Sequence, residues 1–277
     1  MAARVETGTA EVDGVTTFFR RLPGEGPPVV FVHGVPTHSE DWMPFLERME
    51  GPAIALDLPG FGRSERPADF DYTMDGYAGF FTRFLAEMGI ERHRLVVHDW
   101  GSIGLISAQE EPERVRRVVV INALPLLPGY RWHRTARIWR TPGLGELFTR
   151  IRFRGWLDLA LRESRGDRSR HEPAFVDLIA DHLDDGTVRA ILSLYRSAPE
   201  EALAKAGDRL GTVDCPALVV WAMRDRYLPA RFGRAWAERL PRAELLELPD
   251  AGHWPWRDDP SSIGPVLEFL AADNPQS

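Results

Sequence analysis

Side chains able to act as nucleophile, acid or base follow directly on several short apolar runs of this chain. The most telling stretch is Leu95-Val96-Val97-His98-Asp99-Trp100-Gly101-Ser102-Ile103-Gly104. Three apolar residues lead into a polar one, and a helical pattern continues through Leu105, Ile106 and Ala108. A buried strand turning this sharply into a helix presents one residue at its tip. Such a tip is strained and tolerates only small neighbours. With Val97 and Gly101 as those neighbours, the tip residue is Asp99. A competing frame would put Ser102 in a Gly-x-Ser-x-Gly pattern. Trp100, however, stands where the first Gly should be, and Ser102 falls inside the first helical turn. The nucleophile is therefore read as a carboxylate. Taken alone, the stretch would better suit an Asp capping an ordinary helix, so the reading depends on what stands at the other strand ends.

Ligands of open parallel sheets bind at the carboxyl ends of the strands. The run Ala217-Leu218-Val219-Val220-Trp221 leads into Ala222-Met223-Arg224-Asp225, and Leu248 leads into Pro249-Asp250-Ala251-Gly252-His253. Nucleophile, acid and histidine in this chain order fit the order of elbow enzymes. His253 would be the base, with Asp225 orienting it and stabilising its imidazolium. Singly, His253 reads as a surface histidine and Asp225 as a helix N-cap, but neither explains why both follow consecutive strands. Asp250 is the rival acid, yet it shares the His253 loop and is poorly placed to reach behind the ring. A fourth strand end, His33-Gly34-Val35-Pro36, supplies an oxyanion hole: the amides of Val35 and Trp100 would converge on an oxygen of Asp99. Pro36 stiffens that turn, and its X-Pro bond is a candidate for the cis form. His33 is read as pinning the loop. The histidines lack the close paired spacing of metal ligands, so neither metal nor cofactor is expected.

The elements positioning these residues follow from periodicity. Val5 to Val12, the Asp13-Gly14 turn and Val15 to Arg20 predict a hairpin. Buried strands are predicted at Val29–Val32, Ile54–Leu56, Leu95–Val97, Val115–Ile121 and Ala217–Trp221, with another at Glu244–Leu246. A helix is predicted from Thr73 to Met88, capped by Thr73, with an apolar stripe through Met74, Tyr77, Phe81, Phe84 and Met88. Further helices follow the elbow, span Arg231 to Leu240 and run from Ile263 to Leu270. The loop Gly60-Phe61-Gly62 lacks a third glycine and a following helix, so it reads as a tight turn beside the site rather than a phosphate cradle. Strands alternating with helices predict an α/β fold, a mostly parallel sheet with helices on both faces. Between residues 123 and 213 the rhythm gives way to helix-like patterns rich in Trp and Arg. The chain thus divides into a core of 1–122 and 214–277 and an inserted helical segment of 123–213. The tail from Asn274 to Ser277 is expected to fray.

A chain of 277 residues, 44% hydrophobic, can bury one large core. Its net charge of −7 argues against a nucleic-acid partner. The Arg-rich stretch from Arg131 to Arg170 is read as amphipathic helices with solvated faces, in preference to an RNA-binding surface. The single Cys215 excludes a disulfide framework, fits a reducing compartment and is read as a packing residue. No apolar run approaches membrane-spanning length, so a soluble cytoplasmic protein, monomer or homodimer, is expected.

His33-Gly34-x-Pro36, Asp57-x-Pro59-Gly60-x-Gly62-x-Ser64, His98-Asp99-Trp100-Gly101, Asp225 with Pro229, and Gly252-His253-Trp254 together resemble the α/β-hydrolase superfamily. They are most similar to its Asp-nucleophile branch, the epoxide hydrolases and haloalkane dehalogenases. The resemblance implies the α/β-hydrolase fold with a helical cap, and attack by Asp99 on an sp3 carbon to form an alkyl ester. Water activated by His253 then cleaves that ester. It also implies a small hydrophobic substrate. Trp after the nucleophile is shared with the dehalogenases, but their usual Asn is Val35 here, which offers no side-chain donor to a halide. Epoxide hydrolases use two cap tyrosines to protonate the ring oxygen, and Tyr195 looks like one of them. The second is missing from its usual place: Tyr130 comes early, and His133, Trp139 or Trp156 could stand in. Tyr130, Trp139 and Trp156 are the candidate substrate-binding residues. The resemblance therefore implies an epoxide hydrolase, with a haloalkane or haloacid dehalogenase as the alternative.

Overall fold

The computed structural model describes residues 5–150, 154–170 and 172–272. The tail at 274–277 and the side chain of Trp156 lie outside the described residues. Eight strands form one sheet: β1 (Glu6–Val12), β2 (Val15–Leu22), β3 (Val29–Val32), β4 (Ala53–Leu56), β5 (His93–Asp99), β6 (Val115–Ala123), β7 (Ala217–Ala222) and β8 (Ala243–Leu248). Their order is β1-β2-β4-β3-β5-β6-β7-β8. The hairpin β1–β2 and the β2–β4 pair are antiparallel, and all later pairs are parallel. The hairpin turn uses positive φ at both Asp13 and Gly14, the geometry that matches strand twist.

The helices are α1 (Met43–Leu46), α2 (Met74–Glu87), α3 (Ile103–Glu110), α4 (Arg134–Arg140), α5 (Leu144–Arg150) and α6 (Arg154–Ser164). They continue with α7 (Pro173–Ala180), α8 (Asp185–Ser197), α9 (Glu200–Ala206), α10 (Arg231–Arg239), α11 (Pro255–Asp258) and α12 (Ile263–Ala271). Helices α4–α9 all fall between β6 and β7, where the sequence rhythm breaks. β6 runs through Ala123, one residue past the boundary drawn at 122. The one-turn helices α1 and α11 were not anticipated, because four residues carry no readable period. Thr73 caps α2 as expected, its hydroxyl accepting from the Gly76 amide at 3.1 Å. No described helix is long and apolar enough to cross a membrane.

β3, β4 and β7 are buried throughout, because helices cover both faces of the sheet. Successive side chains alternate between two cores. Leu95 and Val97 enter the cluster that holds Phe80, Phe81 and Phe84, whereas Val96 enters the one that holds Trp42 and Trp256. Cys215 is buried as a packing residue, and burial pushes its thiol up to about 11.

The central strand β5 ends at Asp99, whose backbone takes φ 47° and ψ −122°. Steric constraints around it are severe. A Cβ on Gly101 would lie 2.1 Å from the Val32 carbonyl oxygen, and one on Gly34 would lie 2.5 Å from Asp99 Cβ. Both are backbone or crest contacts that cannot yield. Gly104, three residues further on in the first turn of α3, would meet only side-chain carbons at 3.3 Å or more. Gly101→Ala is therefore expected to destabilise the fold by about 2–3 kcal/mol, whereas Gly104→Ala should stay within about 1 kcal/mol of wild type. Urea midpoints at constant m-value check the pair; equal losses would show that the crest is not the constrained point.

Candidate active site

Asp99 stands at the crest of the elbow, 6% exposed. Its Oδ2 accepts from the Val35 amide at 3.0 Å, and the Trp100 amide also donates to the carboxylate. The Val35–Pro36 bond is cis. Burial pushes the Asp99 carboxyl above the usual carboxylate range, against the opposing pull of His253 and of the two amides. The loop bearing Val35 is fastened by His33, whose Nδ1 donates to the Gly34 carbonyl at 2.8 Å while Nε2 accepts from the Leu58 amide at 2.9 Å. Asp57 knits the neighbouring loop, accepting from the Ser39 amide at 2.7 Å and the Arg63 amide at 2.8 Å.

His253 points Nε2 at Asp99 Oδ1, 4.0 Å away, and donates from Nδ1 to Asp225 Oδ2 at 2.8 Å. Burial works to lower the His253 pKa. The charge and hydrogen bond of Asp225, with Asp99 beyond, outweigh it and leave the ring above its ordinary value. Asp225 is saturated: Oδ1 accepts from the amides of Tyr227 (2.8 Å) and Leu228 (3.1 Å). Its Oδ2 also takes the Asn122 side-chain amide at 2.7 Å. Asn122 itself, fully buried with φ 37°, accepts from the Ala222 amide at 2.8 Å and so ties the end of β6 to the end of β7. A carboxylate with this many donors is fixed in place, which holds the imidazole in one tautomer with Nε2 free to accept a proton.

Above Asp99 and His253 lies a cavity of about 250 Å³, closed on its far side by residues of α4–α8. Its walls are mainly apolar, including Leu157, Leu161, Leu183, Val188 and Ile191, with Tyr195, Tyr227, His133 and Trp139 among the polar or aromatic residues. Tyr195 is buried against Trp100, Trp132 and Trp139 at centroid separations of 4.9, 5.1 and 5.0 Å. Its phenol pKa lies well above the usual tyrosine value, through burial first and the Asp99 charge second. His133 caps α4, its Nδ1 accepting from the Ala136 amide at 3.4 Å, which leaves the proton on Nε2. Burial lowers this ring to about 4, so it remains a neutral donor.

Asp99, Asp225, His253, Val35, Trp100 and Tyr195 thus come together. The two rival residues do not. Ser102 is fully buried within the turn that follows Asp99, and Asp250 is exposed and paired with Arg224 at the surface. Trp139 lines the cavity, but Tyr130 is absent from its walls. Tyr130 is buried against Trp132 and Phe232, with its hydroxyl on the Tyr227 carbonyl at 3.4 Å. Two site residues escaped the sequence reading. Asn122 follows a predicted buried strand and was open to discovery as a fifth strand end. Tyr227 lies only two residues after Asp225, yet its ring packs 5.1 Å from His253 and its hydroxyl reaches the Ala160 carbonyl at 3.3 Å.

The arrangement of carboxylate, imidazole and two converging amides suits covalent hydrolysis. The chain is similar to several known proteins. The chain is 28% identical to the cis-3-alkyl-4-alkyloxetan-2-one decarboxylase of Xanthomonas campestris, over 91% of each chain. It is 26% identical to haloalkane dehalogenase 2 of Mycobacterium bovis, over 88% of this chain and 87% of that one. Among solved structures, a haloalkane dehalogenase from Bradyrhizobium elkani superposes with a TM-score of 0.83 at 25% identity, covering 97% of this chain and 98% of that one. Residues 29–263, from β3 to α12, match the Alpha/beta hydrolase family, and the chain belongs to that family.

Proposed function

We propose that this protein is an epoxide hydrolase, converting an epoxide to a vicinal diol, with α4–α9 as the cap over its core. The observation that carries the reading is that the Asp99 carboxylate and the Tyr195 phenol line one apolar cavity. Asp99 Oδ1, the oxygen nearer His253, attacks a ring carbon. The C–O bond breaks, and the departing oxygen takes the Tyr195 proton. A phenol is a weak acid, but it matches an alkoxide that develops only as the ring opens. The neutral N–H of His133 supports the same oxygen. Water, losing a proton to His253, then attacks the ester carbonyl of Asp99. The amides of Val35 and Trp100 stabilise the tetrahedral oxyanion. On its collapse the departing alkoxide takes the proton held by His253, and the new Asp99 carboxyl returns its proton to the Tyr195 phenolate. This frees the diol and restores the carboxylate and the phenol.

Dehalogenation is the second reading. The dehalogenase relatives favour it, as does Trp139, whose Nε1 faces no hydrogen-bond partner among the described residues. Against it, Val35 carries no side-chain donor, and the Trp100 indole is not among the cavity walls. The Xanthomonas relative is named for an oxetan-2-one, itself a strained oxygen ring, so a test panel includes epoxides, haloalkanes and an oxetan-2-one.

His253→Gln is expected to accumulate a stoichiometric adduct on Asp99, because only ester cleavage needs the base. Whole-protein mass decides between the readings: an epoxide adds its full mass, whereas a haloalkane adds its alkyl group less one hydrogen. Asp99→Ala should form no adduct with either, while Ser102→Ala should keep most activity. An adduct mapping to Ser102 or Cys215 would refute the Asp99 assignment.

Tyr195→Phe removes the donor and keeps the ring. Alkylation by an epoxide should slow by about tenfold or more, with a haloalkane less affected. An unchanged epoxide rate would take Tyr195 out of the mechanism.

The pH dependence follows from the Asp99 charge, which helps to raise the His253 pKa in the free enzyme. Alkylation removes that charge, so the base titrates lower in the ester than in the free enzyme. Ester hydrolysis needs neutral His253; its rate is full above that lower pKa and falls as pH drops through it. The acid limb of single-turnover hydrolysis should therefore lie below the pH at which NMR shows free His253 titrating. Coincident values would contradict this coupling.

A further inference from the structure

The loop carrying His253 is gripped from three places, by Asp41 ahead of α1, by Ser164 at the end of α6 and by Asp258 of α11. Three consecutive residues are each held. The Gly252 amide donates to Asp258 Oδ2 at 2.7 Å, the His253 amide to the Ser164 carbonyl at 2.8 Å, and the Trp254 indole to Asp41 Oδ2 at 2.9 Å. Backbone meets backbone here. A Cβ on Gly252 would lie 2.2 Å from the Ser164 oxygen, and one on Gly166 would lie 1.9 Å from the Asp250 oxygen.

The two carboxylates in this grip are themselves ion-paired. Arg257 Nη2 meets Asp41 Oδ1 at 3.0 Å, and Arg165 Nε meets Asp258 Oδ1 at 2.8 Å. Glu172 joins the two arginines, with Oε1 on Arg257 at 2.6 Å and Oε2 on Arg165 at 2.7 Å. Asp41, Arg165 and Asp258 are buried, so each charge is held in place by its partners rather than by water. Glu172 is about a third exposed and lies outside the cavity walls.

We propose that Glu172 is a positioning residue for His253. By bridging Arg257 and Arg165 it tensions both anchors of the His253 loop, Asp41 through Trp254 and Asp258 through Gly252. The α6–α7 segment is thereby a fixed mount for the base. This rests on the reading of His253 as the base of ester hydrolysis, and a substrate-free measurement keeps the two separable.

Glu172→Gln keeps the size of the side chain and removes its charge. In the substrate-free protein, the low-field NMR signal of the His253 Nδ1 proton shared with Asp225 should shift and exchange faster with solvent. With a competent substrate, ester hydrolysis should slow by about tenfold or more, because small displacements of a reacting group are costly. Alkylation should stay within about twofold, so the Asp99 adduct accumulates. Glu172→Asp, which keeps the charge but shortens the reach, should move both readouts the same way by less, and it decides the matter if Glu172→Gln fails to fold. A folded variant with wild-type proton signal and hydrolysis rate overturns the proposal. Equal slowing of both half-reactions also overturns it, since that marks general loss of structure. If no protein forms an Asp99 adduct, the hydrolytic reading fails while the proton signal still decides the role of Glu172.

Discussion

Asp99 holds a left-handed backbone conformation that costs a non-glycine residue on the order of 1–3 kcal/mol, and the rest of the site is built around keeping it there. β5 lies between β3 and β6, so ladder hydrogen bonds on both sides fix the approach to the turn. The crest is then closed by two neighbours without side chains: Gly34 under the Asp99 side chain and Gly101 against the Val32 carbonyl. This close approach brings the Val35 and Trp100 amides onto the carboxylate. Strain at Asp99 and the convergence of these two amides are therefore the same structural fact seen from two sides.

Burial creates the second constraint. Asp99, Asp225 and His253 are all nearly inaccessible, and an uncompensated charge there would be costly. Compensation is uneven. Asp225 receives four hydrogen bonds, from Tyr227, Leu228, Asn122 and His253. Asp99 receives two amides and faces the cavity, with burial raising its pKa. One carboxylate is locked as an orienting charge, and the other is left reactive. The difference lies in the surrounding donors, since the side chains are identical.

Helices α4–α8 supply the far wall of the cavity, and they supply it unevenly as well. Tyr195 enters between tryptophans that bury it, while His133 is turned by its capping bond so that its proton sits on Nε2. Trp100 follows Asp99 but lies packed against Trp132 and Tyr195, at 5.6 and 4.9 Å. A tryptophan placed directly after Asp99 in the sequence is therefore not, in this protein, an indole lining the cavity. That separation of sequence position from orientation is what divides the two chemical readings of the site.

The sequence by itself determined the sheet, the elbow and the residues at its strand ends. Strands covered on both faces must be continuous apolar runs, so β3, β5, β6 and β7 were legible, and polar residues after such runs stood out as strand-end groups, Asn122 after β6 excepted. Asp99 and Asp225 stood out in this way, the Val35 turn as the end of β3, and His253 as a loop residue beyond β8, whose run is only partly apolar. The spacing of α2 was legible for the same reason, a one-sided stripe with a capping threonine. Only the tertiary structure decided how Tyr130 and Tyr227 are used: Tyr130 is buried against Trp132 and Phe232, and Tyr227 faces the cavity. It alone joined Asn122 to Asp225, across 103 residues of chain, and Glu172 to Arg257, across 85. Periodicity records whether a residue meets the core or the solvent. It carries no information about which distant segment packs on that face, and the chemistry of this cavity depends on that packing.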